Sequence, residues 1–213
     1  MFVRSLKAVS AVLVLALATF LAPAALAADA DPAARQIENF YATLVGTMKR
    51  GPELGIKGRY QAMAPGVDAA FDIPTMIQFI VGTGWLSMSD ADHRSLVEAF
   101  RRMTIANYAN NFDSFHGEHF DVDPNVQTRG PDRIVQTTLT LDGGKSIPLV
   151  YRMRLSGGAW KIIDIFLNGY VSELATRRSD FAATLTSGGA PAVVKQLNTI
   201  ADNLLTGTKA KSD

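Results

Sequence analysis

Three histidines and one strand-borne aspartate are the residues whose types and spacing could do chemistry in this chain. His116-Gly117-Glu118-His119 places two imidazoles and a carboxylate within four residues, and these are ligand types that a divalent metal accepts. Gly117 interrupts any shared helical face, so the stretch lacks the i, i+4 histidine pair of a zinc-protease helix. A solvated junction between helix and strand is the competing reading. His93, beside Asp92 in a polar first turn, reads as surface. Asp164 is the more pointed candidate. Strict alternation puts it on one strand face with Trp160, Ile162 and Phe166, and a carboxylate desolvated there is the type of base that takes a proton beside a carbonyl. The structural alternative is an aspartate bonded to backbone or to Arg152 or Arg154. There is no cysteine, which removes disulfides, thiolate nucleophiles and cysteine metal sites. No G-x-S-x-G, P-loop, GxGxxG or calcium loop occurs. Spacing alone names no reaction, cofactor or metal.

The elements that would position these groups follow from hydrophobic periodicity. Pro32 to Met48 predicts a helix with Asp31 as N-cap and apolar residues at Ile37, Phe40, Tyr41, Leu44 and Met48. A weaker helix is predicted from Glu53 to Met63, broken by Pro65-Gly66. A short segment runs from Pro74 to Val81, capped by Asp72. The longest helix is predicted from Ser89 to about Phe115. Beyond Gly117 the period changes to two. Strands are predicted at Glu118–Val122, Arg133–Leu141, Ser146–Leu155 and Ala159–Leu167, with hairpin signals at Asp142-Gly143-Gly144 and Gly157-Gly158. Two helices close the chain, Ser172 to Thr186 and Pro191 to Leu205, separated by Ser187-Gly188-Gly189. Helices, then a four-stranded antiparallel meander, then helices define an α+β class with the helices on one face of the sheet.

The first 27 residues read as a cleavable signal peptide. Arg4 and Lys7 precede an uncharged run from Ala8 to Ala22, and Ala25-Leu26-Ala27 places cleavage before Ala28. That run is short against the roughly 20 apolar residues of a membrane span. The mature chain is expected to be one domain, residues 28–208, with a polar tail at 209–213. Without Arg4 and Lys7, 19 basic residues face 20 acidic ones, a balance that argues against nucleic acid. Lacking a cysteine for acylation, the exported protein is expected to be released into the periplasm, as a monomer. Arg50, Lys57, Arg59, Arg101 and Arg102 read as solvated helix faces or as docking patches.

Several segments together resemble the MlaC (toluene-tolerance) family. They are Phe71-Asp72-Ile73, Gly82-Thr83-Gly84-Trp85-Leu86-Ser87-Met88-Ser89 with Phe100 and Tyr108, and Trp160-Lys161-Ile162-Ile163-Asp164-Ile165. Asn168-Gly169-Tyr170-Val171-Ser172 also fits, with Tyr170 an extra bulky residue, as do Arg178-Ser179-Asp180-Phe181 and Gly188-Gly189. A hopanoid-associated branch, HpnM, is similar. The resemblance implies a periplasmic carrier, without cofactor, that holds phospholipid or hopanoid in a hydrophobic cavity. It further implies a membrane-associated ABC-type complex and an outer-membrane component as partners. It supplies no catalytic residues and no ligand contacts to transfer. The candidate lining is therefore drawn from the helical stripe Leu96, Phe100, Met103, Tyr108, Phe112 and Phe115, from Phe79, and from Tyr151, Met153, Trp160 and Ile162 on the strands. By spacing alone these residues could equally fill a solid core; the resemblance favours a cavity. Two other functions stay open: a small NTF2-like enzyme using Asp164 as base, and an interaction module with a filled core.

Overall fold

Asp31 opens the first helix as expected, its side chain accepting from the Ala33 amide at 2.8 Å, with Pro32 in the first turn. The computed structural model describes residues 30–207. The leader with its cleavage site and the tail at 209–213 lie outside the described residues.

Helix α1 (Pro32–Lys49) is followed by α2 (Gly51–Ala70), α3 (Ile73–Val81), a 3-10 turn over Gly82–Ser87 and α4 (Asp90–Asn111). Asp72 caps α3 through the Thr75 amide, and Ser89 with Asp92 forms a reciprocal capping box at the start of α4. Two helix ends and one helix break differ from expectation. Helix α2 runs through Pro65-Gly66 because Pro65 is exposed, so the carbonyl its ring deprives of a partner faces water. The true break in α2 is Gly55, at φ 59° and ψ 178°. Helix α4 stops at Asn111, not Phe115: Phe112 leaves the helical backbone at φ −116° and ψ 66°, in a run of Asn110, Asn111, Asp113 and Ser114, residue types of weak helix propensity.

The strands are β1 (His119–Val122), β2 (Gln127–Arg129), β3 (Asp132–Thr140), β4 (Ser146–Ser156), β5 (Ala159–Leu167) and β6 (Val171–Ser172), all antiparallel in the order β1-β3-β4-β5-β6, with β2 on β3. The four longer strands are the expected meander. β2 and β6, of three and two residues, are too short to carry a period. The last helix, α5 (Glu173–Leu205), is two helices joined at Gly189, whose φ 61° and ψ −157° lie in a region open essentially to glycine. This is where Gly188-Gly189 marks a break in the sequence.

One irregularity changes which residues share a face. Arg152 pairs with Asp164, but Met153 pairs with Ile162, leaving Ile163 as an unpaired bulge residue on β5. Trp160 and Ile162 therefore point inward with Met153, whereas beyond the bulge Ile165 and Leu167 do so with Tyr151 and Leu149. Asp164 and Phe166 lie on the outer face opposite Arg152 and Val150. The alternation that grouped Asp164 with Ile162 fails at this single residue.

The inner face meets α1 and α5, and α4 packs on α2 and α5. Ile37, Phe40, Leu44, Met63, Leu96, Met153, Ile162 and Leu197 are fully buried between them. Phe40, Phe71 and Tyr108 pack edge to face at 5.1 to 5.7 Å. On the outer face, Asp132 is held between Arg152 and Arg154 at 2.6 and 2.7 Å. Burial pushes its carboxyl up, but the two guanidinium groups outweigh that and hold it below the ordinary carboxylate range.

Candidate functional site

The core is not filled throughout. Between the inner sheet face, α1, the end of α4 and the start of α5 lies a hollow of about 600 Å³ that opens to solvent. That is within the ~300–1,000 Å³ range of small-molecule sites. Tyr41 and Leu44 line it from α1, Tyr108 and Phe112 from the end of α4, and Phe120 and Leu139 from β1 and β3. Ile147, Leu149 and Tyr151 form the β4 wall, and Ile165 and Leu167 the β5 wall. Pleat geometry explains the strand contributions, since Ile147, Leu149 and Tyr151 are two residues apart and share a face. A second hollow of about 70 Å³ adjoins it. Phe71, Met76, Phe100 and Met103 line this smaller space, and Tyr108 and Ile165 belong to both.

The polar groups in the deep wall satisfy one another. The Tyr41 hydroxyl lies 2.8 Å from Thr137 Oγ1 and donates to the Tyr151 hydroxyl at 2.9 Å. Burial pushes the Tyr41 phenol up to about 12, although its hydrogen bonds to Thr137 and Tyr151 pull the other way. Burial likewise raises Tyr108 and Tyr151. The wall is uncharged at neutral pH. Charge is confined to Lys145, Glu173 and Arg177, accompanied by Asn107, Asn111 and Asn168. Burial lifts the Glu173 carboxyl above its ordinary value, Arg177 opposes this, and Asp164 and Asp180 add to it. An apolar chamber with only a few ionic and amide groups in its walls suits a ligand with an apolar body and a polar end.

The residues proposed from sequence fall into four groups. Tyr108, Phe112 and Tyr151 line the large hollow, and Phe100, Met103 and Tyr108 line the small one. Leu96, Met153 and Ile162 are fully buried in solid core away from both. Trp160 lies under the Arg133 guanidinium, 5.0 Å from its ring, and Phe115 carries Lys49 over its ring at 5.1 Å. Phe79 is 49% exposed, beside Arg178. Sequence reasoning missed Tyr41, Leu44, Phe120 and Ile165. It also missed Ile147 and Leu149, although their shared phase with Tyr151 was a usable signal. Nothing in the local pattern distinguished Lys145 or Arg177 from other surface cations.

Asp164 faces away from both hollows. Its Oδ1 accepts from the amides of Ile165 at 2.8 Å and Leu174 at 3.2 Å, and its Oδ2 from the Ser172 hydroxyl at 2.7 Å. Ser172 in turn caps α5 by accepting from the Ala175 amide at 3.0 Å. The aspartate thus ties β5 to the first turn of α5. His116 Nε2 lies 2.8 Å from Ser114 Oγ, Glu118 accepts from the His116 amide, and His119 pairs with Asp121. Among the described residues no three metal-ligating side chains converge. His93 stacks on Trp85 with centroids 3.9 Å apart. Arg101 and Arg102 pair with Asp68 and Asp202, and Arg59 donates to the Gly51 and Ala109 carbonyls.

A solved phospholipid-binding protein from Ralstonia solanacearum, in complex with a phospholipid, shares the fold with a TM-score of 0.71. The two are 20% identical, and the superposition covers 82% of this chain and 99% of that one. A search of curated protein sequences returned no match. Among the described residues no helix is long and apolar enough to cross a membrane. The profile of the MlaC protein family matches residues 38–199, and with the helices, meander and C-terminal helix pair in the order just described, the chain belongs to the MlaC family.

Proposed function

We propose that this protein is a lipid carrier that takes phospholipid acyl chains into the 600 Å³ hollow and moves them through the periplasm between membrane-associated transport components. The observation that carries this reading is the hollow itself: a space walled by Tyr41, Leu44, Tyr108, Phe112, Leu149 and Ile165 and open to solvent. The phospholipid bound to the structurally similar Ralstonia protein supports the same class of ligand. The energetics fit. Each methylene withdrawn from water is worth ~0.8 kcal/mol, so an acyl chain of about fifteen carbons would oppose crossing water unprotected by roughly 12 kcal/mol. An apolar chamber removes most of that barrier without binding so tightly that release stalls. Catalysis has no comparable support, because Asp164 faces away from the hollow and its carboxylate is engaged by the start of α5. The expected leader would deliver the chain to the periplasm, where an ABC-type complex and an outer-membrane component would be its partners.

Native mass spectrometry of the purified protein tests the carrier reading. Copurified species with phospholipid masses are expected. A hopanoid mass would change the cargo but keep the role, and a protein that stays empty after incubation with phospholipid vesicles would end it.

A further inference from the structure

Beside the hollow lies an exposed turn that begins in its wall at Leu167 and runs on to Tyr170 and Val171, which are not among the lining residues. Leu167 ends β5, and Asn168 and Gly169 both adopt positive φ, 53° and 82°. The Tyr170 amide donates back to the Leu167 carbonyl at 3.2 Å, which makes an Asn-Gly turn of the mirror-image hairpin type. Two residues of positive φ in so short a connection fix its direction. The turn holds Tyr170 outward at 76% exposure, with Val171 at 40% and Leu167 at 37%. Leu167 and Asn168 are also lining residues of the hollow, as are Lys145 from the β3–β4 turn and Arg177 from α5. The hollow therefore presents, with this turn, a tyrosine, two aliphatic side chains and two cations; Arg177 is met by Asp180 at 3.7 Å and lies beside Glu173, which leaves Lys145 as the cation of the two without an ion pair among the described residues. Asp142, exposed in the same turn as Lys145, is not among the lining residues.

We infer that the Leu167–Val171 turn docks the open end of the hollow directly on an anionic lipid bilayer surface. A tyrosine has an apolar ring and a hydroxyl that suit the boundary between acyl chains and headgroups. Val171 and Leu167 continue that apolar surface into the chamber, so a chain leaving the bilayer would meet protein rather than water. Lys145 makes no ion pair among the described residues and is placed to meet lipid phosphate. This inference rests on the carrier reading, and its test separates the two.

The experiment is flotation of the purified protein with vesicles of phosphatidylcholine containing phosphatidylglycerol, against vesicles of phosphatidylcholine alone. The wild type should float with the anionic vesicles, less so without phosphatidylglycerol and less at high salt. Tyr170→Ser, alone and with Val171→Ser, should lose flotation severalfold while keeping the thermal midpoint. Lys145→Gln should weaken it roughly fivefold, the effect of one cation near a charged surface. Both Tyr170 variants should retain preloaded lipid by native mass spectrometry. Flotation unchanged by Tyr170→Ser overturns the inference, as does a wild type that is lipid-loaded yet does not float. A Tyr170→Ser protein that instead loses self-association on a sizing column, with vesicle binding intact, assigns the turn to a second copy and equally overturns it. A wild type that floats but never carries lipid leaves the docking turn standing and removes the carrier function.

Discussion

Tyr41 on α1 and Tyr151 on β4, 110 positions apart, share a hydrogen bond of 2.9 Å at the deep wall of the hollow. The Tyr41 hydroxyl also meets Thr137 on β3, so one phenol joins a helix to two strands. Their burial makes that bond costly to leave half-made.

Tyr41→Phe should lower stability by about 1–3 kcal/mol, because the buried Tyr151 and Thr137 hydroxyls would each lose a partner. Urea unfolding measures this. Tyr41→Phe combined with Tyr151→Phe should recover part of the loss, since the double change removes both ends of the bond. An additive double mutant would mean that the two hydroxyls do not cooperate.

Asp164→Ala should destabilise by about 3 kcal/mol, since a charged acceptor of two amides and a hydroxyl is lost beneath the start of α5. Asp164→Asn, which keeps an acceptor oxygen, should cost less. Below its melting range each variant should copurify with as much lipid as the wild type. A stable Asp164→Asn protein stripped of lipid would place the residue in the ligand site after all.

Ile147→Trp should empty the carrier without unfolding it. The indole has free space to enter from the β4 wall, so its expected effect on stability is below about 1.5 kcal/mol. Lipid content by native mass spectrometry should fall severalfold. Full lipid occupancy in this variant would mean that the ligand lies elsewhere.

Glu173 gives the pH dependence. Its carboxyl is raised above 4.5 mainly by burial, so the unfolded chain ionises it first. The group's favourable contribution is complete below 4.5 and is lost as pH climbs through the raised folded value. Glu173→Gln should therefore raise the melting temperature at pH 7, and the gain should vanish below pH 4.5. Melting curves across that window decide it; a variant less stable at pH 7 would show that the attraction to Arg177 outweighs desolvation.

Much of the fold was legible because it rests on periods. The α1 stripe, the Asp72 and Ser89 caps, the glycine break in α5 and the four long strands all follow from side-chain phase and local capping chemistry. The candidate site was harder to read. Tyr108, Phe112 and Tyr151 have the spacing of core residues, as do Leu96, Met153 and Ile162, yet only the first three border the large hollow. Apolar spacing reports which side faces inward, not whether anything stands opposite. Lys145 and Arg177 meet at the hollow only through tertiary folding, so no local pattern could pair them.

Ile163 has a further consequence. It acts as a half-period phase shift written into a single strand. Upstream of it, one reading frame sends Trp160 and Ile162 to the interior; downstream, the opposite frame sends Ile165 and Leu167 there and turns Asp164 outward. Deleting this one residue would restore an ordinary ladder, with Asp164 still opposite Arg152 and Ile162 still opposite Met153, and leave every face where it is. Keeping Ile163 while flattening the bulge would instead exchange the two faces of everything that follows: the carboxylate would turn to the oily compartment, the aliphatic wall to water, and α5 would lose its tether. The bulge is where the strand absorbs one surplus residue, so that the chamber stays insulated from charge while the helix stays anchored.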